Sequence, residues 1–142
     1  MRDRLYINVQ YRDQIEIWKE KKILGIDMLE TKDIFLLAVA LGINAPTDIK
    51  GKRDGFTRTS YIKARDKALL ASLLLGKAEN QEEIDKLAND DLSYDEAEKC
   101  AEAGFEILKE MIESASFDEE LLEKRILAQL NLLYEQNIVS GI

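Results

Sequence analysis

The sequence predicts a mainly α fold: a single-domain helical bundle over residues 1–142, with a C-terminal αα-hairpin and a small two-stranded β element beside it. Three observations carry this expectation. Apolar residues recur at helical spacing over more than half of the chain, two S-x-x-E capping signatures open its last two periodic stretches, and only one proline and seven glycines interrupt it. A hydrophobic fraction of 46% in 142 residues is enough for one packed core and excludes the disordered and low-complexity classes.

Leu5, Ile7 and Val9 alternate with Tyr6, Asn8 and Gln10, the period-2 pattern of a short half-buried strand over residues 4–9. Tyr11, Ile15, Trp18 and Lys22 then fall at i, i+4, i+7 and i+11, one face of an amphipathic helix over residues 11–22. Residues 23–30 form a connection. The next helix spans residues 32–41, with Thr31 as N-cap, Asp33 near the positive end of the dipole and Gly42 at the stop. Its sequence DIFLLAVALG is apolar nearly all round and belongs at the centre of the core.

Residues 43–62 hold Pro46, Gly51 and Gly55 without a helical period. At their end FTRTSYI, residues 56–62, is rich in aromatic and β-branched side chains and predicts a strand pairing with residues 4–9. A third helix, residues 64–77, contains ALLASLLLG and is expected to be buried. Residues 81–88 read as a short polar helix. Ser93 with Glu96 opens a helix carrying Ala97, Cys100, Ala101, Phe105, Leu108 and Ile112. Ser116 with Glu119 opens the last, carrying Leu122, Ile126, Leu130 and Leu133, and the short connection between them predicts antiparallel packing.

Composition narrows the chemistry. The chain has no histidine, so the commonest general base and the commonest metal ligand are both missing. A single cysteine, Cys100, excludes a disulfide framework and sits on an apolar helix face, where an inert thiol is expected. Carboxylates cluster at Asp90, Asp91, Asp95 and Glu96 and at Asp118, Glu119 and Glu120, mainly at helix starts, where they stabilise the dipole and need no metal. Trp18 and the Phe and Tyr residues fall at core spacings. GKRDG, residues 51–55, lacks the spacing of a phosphate-binding loop. No cofactor and no metal are expected. The charged opening MRDRLYINVQYRD lacks the apolar centre of a signal peptide and no apolar stretch has the length of a membrane span, so a cytoplasmic location is expected.

Charge is distributed unevenly. The net of -8 divides into +5 over residues 1–77 and -13 over residues 78–142. The basic excess concentrates in KGKRDGFTRTSYIKARDK, residues 50–67, where Lys50, Lys52, Arg53, Arg58, Lys63, Arg65 and Lys67 are interleaved with Phe56 and Tyr61. Cations that neutralise phosphates beside rings that stack on unpaired bases suit a nucleic-acid contact. The other reading is a solvated segment whose charges face the acidic C-terminal helices, in the same molecule or in a second copy, and the overall negative charge favours it.

The run MLETKDIFLLAVALGINAPTDIKGKRDGFTRTSYI, residues 28–62, resembles a family of small prokaryotic proteins found with DNA phosphorothioation gene clusters and other DNA-modification or defence islands. The resemblance lies in Lys32, Asp33, Phe35 to Ala38, Leu41 and Gly42, then Lys52, Gly55 and Phe56, then the apolar helix containing Leu69 to Leu75. It implies a genomic setting and transfers no catalytic residue. The function expected is therefore that of a non-enzymatic accessory protein acting through a protein partner or through self-association as a homodimer, with nucleic-acid binding by residues 50–67 as the alternative.

Overall fold

The computed structural model describes residues 2–115 and 118–139. In chain order these form β1 (Arg4–Asn8), α1 (Val9–Glu20), a 3-10 segment (Ile23–Met28), α2 (Thr31–Gly42), β2 (Arg53–Arg58), a 3-10 turn (Thr59–Tyr61), α3 (Ala64–Lys77), α4 (Gln81–Lys86), α5 (Asp90–Ser114) and α6 (Glu119–Val139). The fold is mainly α with one small antiparallel sheet, and α5 and α6, joined by a few residues, make the C-terminal αα-hairpin. No helix among the described residues is long and apolar enough to cross a membrane.

The centre of the molecule is the contact between α2 and α5. Ile34, Phe35, Leu36, Ala38, Val39, Leu41 and Gly42 are buried on α2, as a helix apolar nearly all round requires. Facing them, α5 presents the small residues Ala97, Cys100, Ala101 and Gly104, all buried. Two glycines set how closely the helices approach. A Cβ on Gly42 would lie 1.9 Å from the Cys100 carbonyl oxygen, and one on Gly104 would lie 1.7 Å from that of Ala38. Gly42 was expected as a helix stop; it is the last residue of α2, and its missing side chain is what admits the backbone of α5.

The remaining core assembles on this pair. Tyr11, Ile15 and Trp18 of α1 are buried, and Tyr11 stacks on Phe105 at 5.8 Å between ring centres. Leu122, Ile126 and Leu133 of α6 are buried in the same cluster. Residues 22–25 hold the left-handed conformation at Lys22 (φ 55°), Leu24 (φ 56°) and Gly25 (φ 65°), which turns the chain from α1 toward α2.

Five expectations need correction. The second strand lies at residues 53–58, not 56–62, because pairing with β1 decides it: Asn8 faces Arg53, Leu5 faces Thr57, and an irregularity between them leaves Phe56 without an opposite residue. Thr59 then donates its N–H to Asp3 and the chain coils into a turn. Thr31 is the first residue of α2, not its cap; Glu30 holds the cap position without a capping side-chain bond. Helix α5 starts at Asp90, where the Asn89 side chain accepts from Asp91 and Leu92, while the Ser93 hydroxyl donates back to the Leu87 carbonyl. Helix α3 is not a buried helix: Leu70 and Leu74 enter the core, whereas Leu69 is 51% and Leu75 46% exposed. Among the aromatics, Tyr61 is exposed and Tyr6 only half-buried, against the expectation of a common core role. Ser116 of the last capping signature lies outside the described residues, and Asp118 accepts from the Leu121 N–H at the start of α6.

The glycine contact gives a direct test. Gly104→Ala and Gly42→Ala should each cost about 3 kcal/mol, because the clashing partner is backbone and cannot turn away. Gly76→Ala, in α3 with open space around its Cα, should gain about 0.5 kcal/mol. Urea unfolding followed by circular dichroism separates the three; equal effects at the three glycines would refute the close approach.

Candidate functional site

One side of α5 is acidic. Asp91, Asp95, Glu98, Glu102 and Glu106 recur at steps of three or four residues and share a face of the helix, on the far side from the small-residue face turned to α2. The N-terminal strand and the first part of the basic segment lie against this acidic row.

Glu98, 3% exposed, is the hub. Its carboxylate accepts from the Arg2 guanidinium, from the Tyr6 backbone N–H at 2.6 Å and from Arg53 Nη2 at 2.9 Å. Arg2 also reaches Asp95 at 2.6 Å, and its backbone N–H donates to Asp91. The two guanidinium groups lie over the Tyr6 ring, Arg2 at 5.8 Å and Arg53 at 5.4 Å from its centre. Two cations and an N–H therefore satisfy one buried carboxylate, the condition under which a buried charge is tolerated.

Four residues further along α5, Glu102 is 6% exposed and far less well served. The Asn8 side-chain amide donates to its Oε1 at 3.2 Å and to the Lys50 carbonyl at 2.5 Å, while Glu102 Oε2 has no hydrogen-bond partner among the described residues. Burial raises the Glu102 pKa above its ordinary value; the Asn8 and Lys50 contacts oppose that rise and the nearby Glu106 charge adds to it. One more turn on, the Tyr11 hydroxyl donates to Glu106, and burial followed by this contact pushes the phenol up.

The nine candidate residues of the basic segment do not form one patch. Arg53 is committed to Glu98, and the Lys50 carbonyl to Asn8. Phe56 is half-buried and packs edge-on against Phe105 at 6.2 Å between ring centres. Lys67 pairs with Asp90 at 3.5 Å. Tyr61 and Lys63 lie elsewhere, in the wall of a hollow of about 480 Å³ beside the start of α2. Lys52, Arg58 and Arg65 are exposed and make no ion pair among the described residues. A larger open groove, about 1040 Å³, runs between α3, α4 and α5, with both signs of charge in its walls, including Lys77 paired with Glu96.

Glu98, Glu102 and Glu106 were not singled out from the sequence. Their i, i+4, i+8 spacing beside the apolar residues of α5 was readable, but acidic residues on a helix usually face solvent, as Glu106 does, and only the chain packed over Glu98 and Glu102 buries those two. No group of three or more carboxylate or cysteine side chains among the described residues is arranged to hold a metal ion. Cys100 is fully buried, which pushes its thiol up to about 12. Comparison of the chain with protein-family models, with curated proteins and with solved structures found no match.

The two buried glutamates should respond oppositely to neutralisation. Glu98→Ala removes the acceptor of the Tyr6 N–H and of Arg53 and leaves Arg2 with Asp95 alone, and should cost about 3 kcal/mol at pH 7. Glu102 has its folded pKa above the unfolded value, so the fold binds its proton more tightly; its contribution is most favourable at low pH and is lost as pH rises through the range between the two values. Glu102→Gln should flatten that loss and leave neutral-pH stability equal or higher. Urea midpoints at pH 4 to 8 check both, and a Glu102→Gln chain less stable at pH 7 than at pH 4 by the wild-type margin would refute the second. Cys100 should resist a thiol-reactive reagent in the native chain at pH 8 and react at once in denaturant; rapid native labelling would contradict its burial.

Proposed function

We propose that the protein is a non-enzymatic accessory protein that acts by binding another protein chain, in the DNA-modification or defence setting that the resemblance of residues 28–62 implies. The observation that carries this reading is the apolar surface left over once the core is full. Helix α3 bears leucines around more than half of its circumference, yet Leu69 and Leu75, on opposite sides of the buried Leu70 and Leu74, are about half exposed. Helix α6, packed beside α3, adds Leu127 at 60% and Leu132 at 48% exposure. Leucines on a surface that already carries many charges have no role in the solubility of the isolated chain, and a helical partner would cover them.

The test pairs two measurements. Leu69→Glu with Leu127→Glu alters side chains outside the core, so the circular dichroism spectrum should be unchanged. Wild-type protein at tens of micromolar should sediment above the monomer mass, or capture a defined protein from the native host, and the double variant should lose both. Monomer mass together with capture that the variant does not affect would overturn the reading.

A second reading rests on Lys52, Arg58 and Arg65, which are exposed and without ion pairs among the described residues; Lys52 precedes β2, whereas Arg58 ends it, three residues before the exposed Tyr61. These side chains remain available to phosphates whereas Arg53 and Lys67 are engaged at home. If they bind nucleic acid, replacing the three by Gln should abolish a mobility shift that weakens steeply with salt, at unchanged stability. The -13 of residues 78–142 opposes such binding, and no specific shift is expected for either protein.

A further inference from the structure

The outer face of α3 is its own complement. Arg65, Ala68, Leu69, Ser72, Leu75 and Gly76 lie on this side of the helix, and all six are exposed. Leu69 and Leu75 stand three residues before and after Ser72, about 60° to either side of it at roughly 100° per residue. Gly76, one heptad beyond Leu69, falls on the same side as that leucine, and Ala68, one heptad before Leu75, falls on the other. A Cβ on Gly76 would meet nothing within 4 Å. Each half of the face therefore pairs an unpartnered leucine with a notch.

Opposite charges flank this face. At the start of α3, Lys63 and Arg65 are exposed and form no ion pair among the described residues; just past its end, the same holds for Glu79 and Glu83. Their neighbours are engaged at home, Asp66 with Lys32, Lys67 with Asp90, Lys77 with Glu96 and Glu82 with Lys86. Glu79 and Glu83 share the wall of the open groove with Gly76, so the acidic end and the notch are continuous. A partner has to bring an apolar centre with acid at one end and base at the other. The same face on a second copy has that pattern.

We propose that a second copy of the chain covers this face, with the two α3 helices antiparallel about a two-fold axis at Ser72. The proposal rests on the partner-binding reading above and names the partner. Such an axis sets residues equally far before and after Ser72 level with each other. Leu69 of each copy enters the notch at Gly76 of the other, Leu75 enters that at Ala68, and Arg65 comes level with Glu79. A parallel pairing would set Arg65 against Arg65 and Glu79 against Glu79, and like charges at both ends disfavour it. A fourteen-residue helix is about 21 Å long, so the pair buries less than the roughly 800 Å² per partner of a standard interface. A dimer in exchange with monomer is expected, with a Kd of tens of micromolar.

Sedimentation equilibrium of the full chain between about 5 and about 200 µM tests this, and the wild type should fit monomer and dimer in exchange. Gly76→Gln fills the notch from an exposed helix position. It should weaken the dimer about ten-fold or more, while the urea midpoint of the dilute chain stays equal or rises. Arg65→Glu and Glu79→Arg each set like charges level at both ends and should each weaken the dimer about ten-fold. An equimolar mixture of these two chains should associate as tightly as the wild type, since one then carries two acids and the other two bases. Monomer mass at about 200 µM, a dimer that Gly76→Gln leaves intact, or a mixture no tighter than its components overturns the proposal. If a monomeric wild type captures a host protein and the chain with Leu69→Glu and Leu127→Glu does not, the second copy is overturned as occupant and the partner-binding reading stands.

Discussion

The backbone contact between α2 and α5 is the constraint on which the rest of this structure depends. Where Gly42 meets the Cys100 carbonyl and Gly104 meets that of Ala38, no side chain separates the two helices. Such close approach gives dense van der Waals contact and very little tolerance, since the opposing atoms are main chain. It also fixes the rotation of α5. With Ala97, Cys100, Ala101 and Gly104 committed to α2, the face bearing Glu98, Glu102 and Glu106 has to meet the N-terminal strand and the loop that follows α2.

That forced meeting explains how an acidic chain with a basic segment arranges its charge. Arg2, just before β1, and Arg53, the first residue of β2, converge on Glu98, and both guanidinium groups lie within 6 Å of the Tyr6 ring centre, at 5.8 and 5.4 Å. The contact ties the start of the chain, the basic segment and the C-terminal half together at one buried carboxylate. Glu102, one turn away, shows the cost of the same placement without enough donors: one oxygen has no partner among the described residues, and its proton is held more tightly than usual. Adjacent glutamates on one helix face therefore differ in role because the strand above them supplies two cations at one position and a single amide at the other.

Surface chemistry follows from what the core leaves over. The α2 and α5 pair, with α1 and three positions of α6, satisfies most of the buried volume, so α3 contributes only Leu70 and Leu74 and keeps other leucines at the surface. The basic segment is likewise divided. Its first part is drawn into the acidic row, Phe56 joins the core edge, and Tyr61 with Lys63 ends beside the start of α2. One stretch of sequence thus serves three surroundings, and composition alone would have treated it as a single patch.

Periodicity by itself determined the helices at residues 64–77 and near residues 11–22 and 32–41, because 3.6-residue spacing is a local property that survives whatever the helix packs against. It also determined that the opening strand alternates and that Cys100 lies on an apolar face. Tertiary structure decided where the second strand begins, since Arg53 and Asp54 are poor strand formers held extended by pairing with Asn8 and Ile7. It decided as well that α5 starts before its serine signature, where Asn89 was the better placed cap, and that α3 lies half out of the core. The roles of Gly42, Gly104 and Glu98 were beyond the sequence for one reason. Each is defined by an atom from a distant part of the chain, a carbonyl or a guanidinium, and no local pattern records what will stand opposite a residue once the chain is folded.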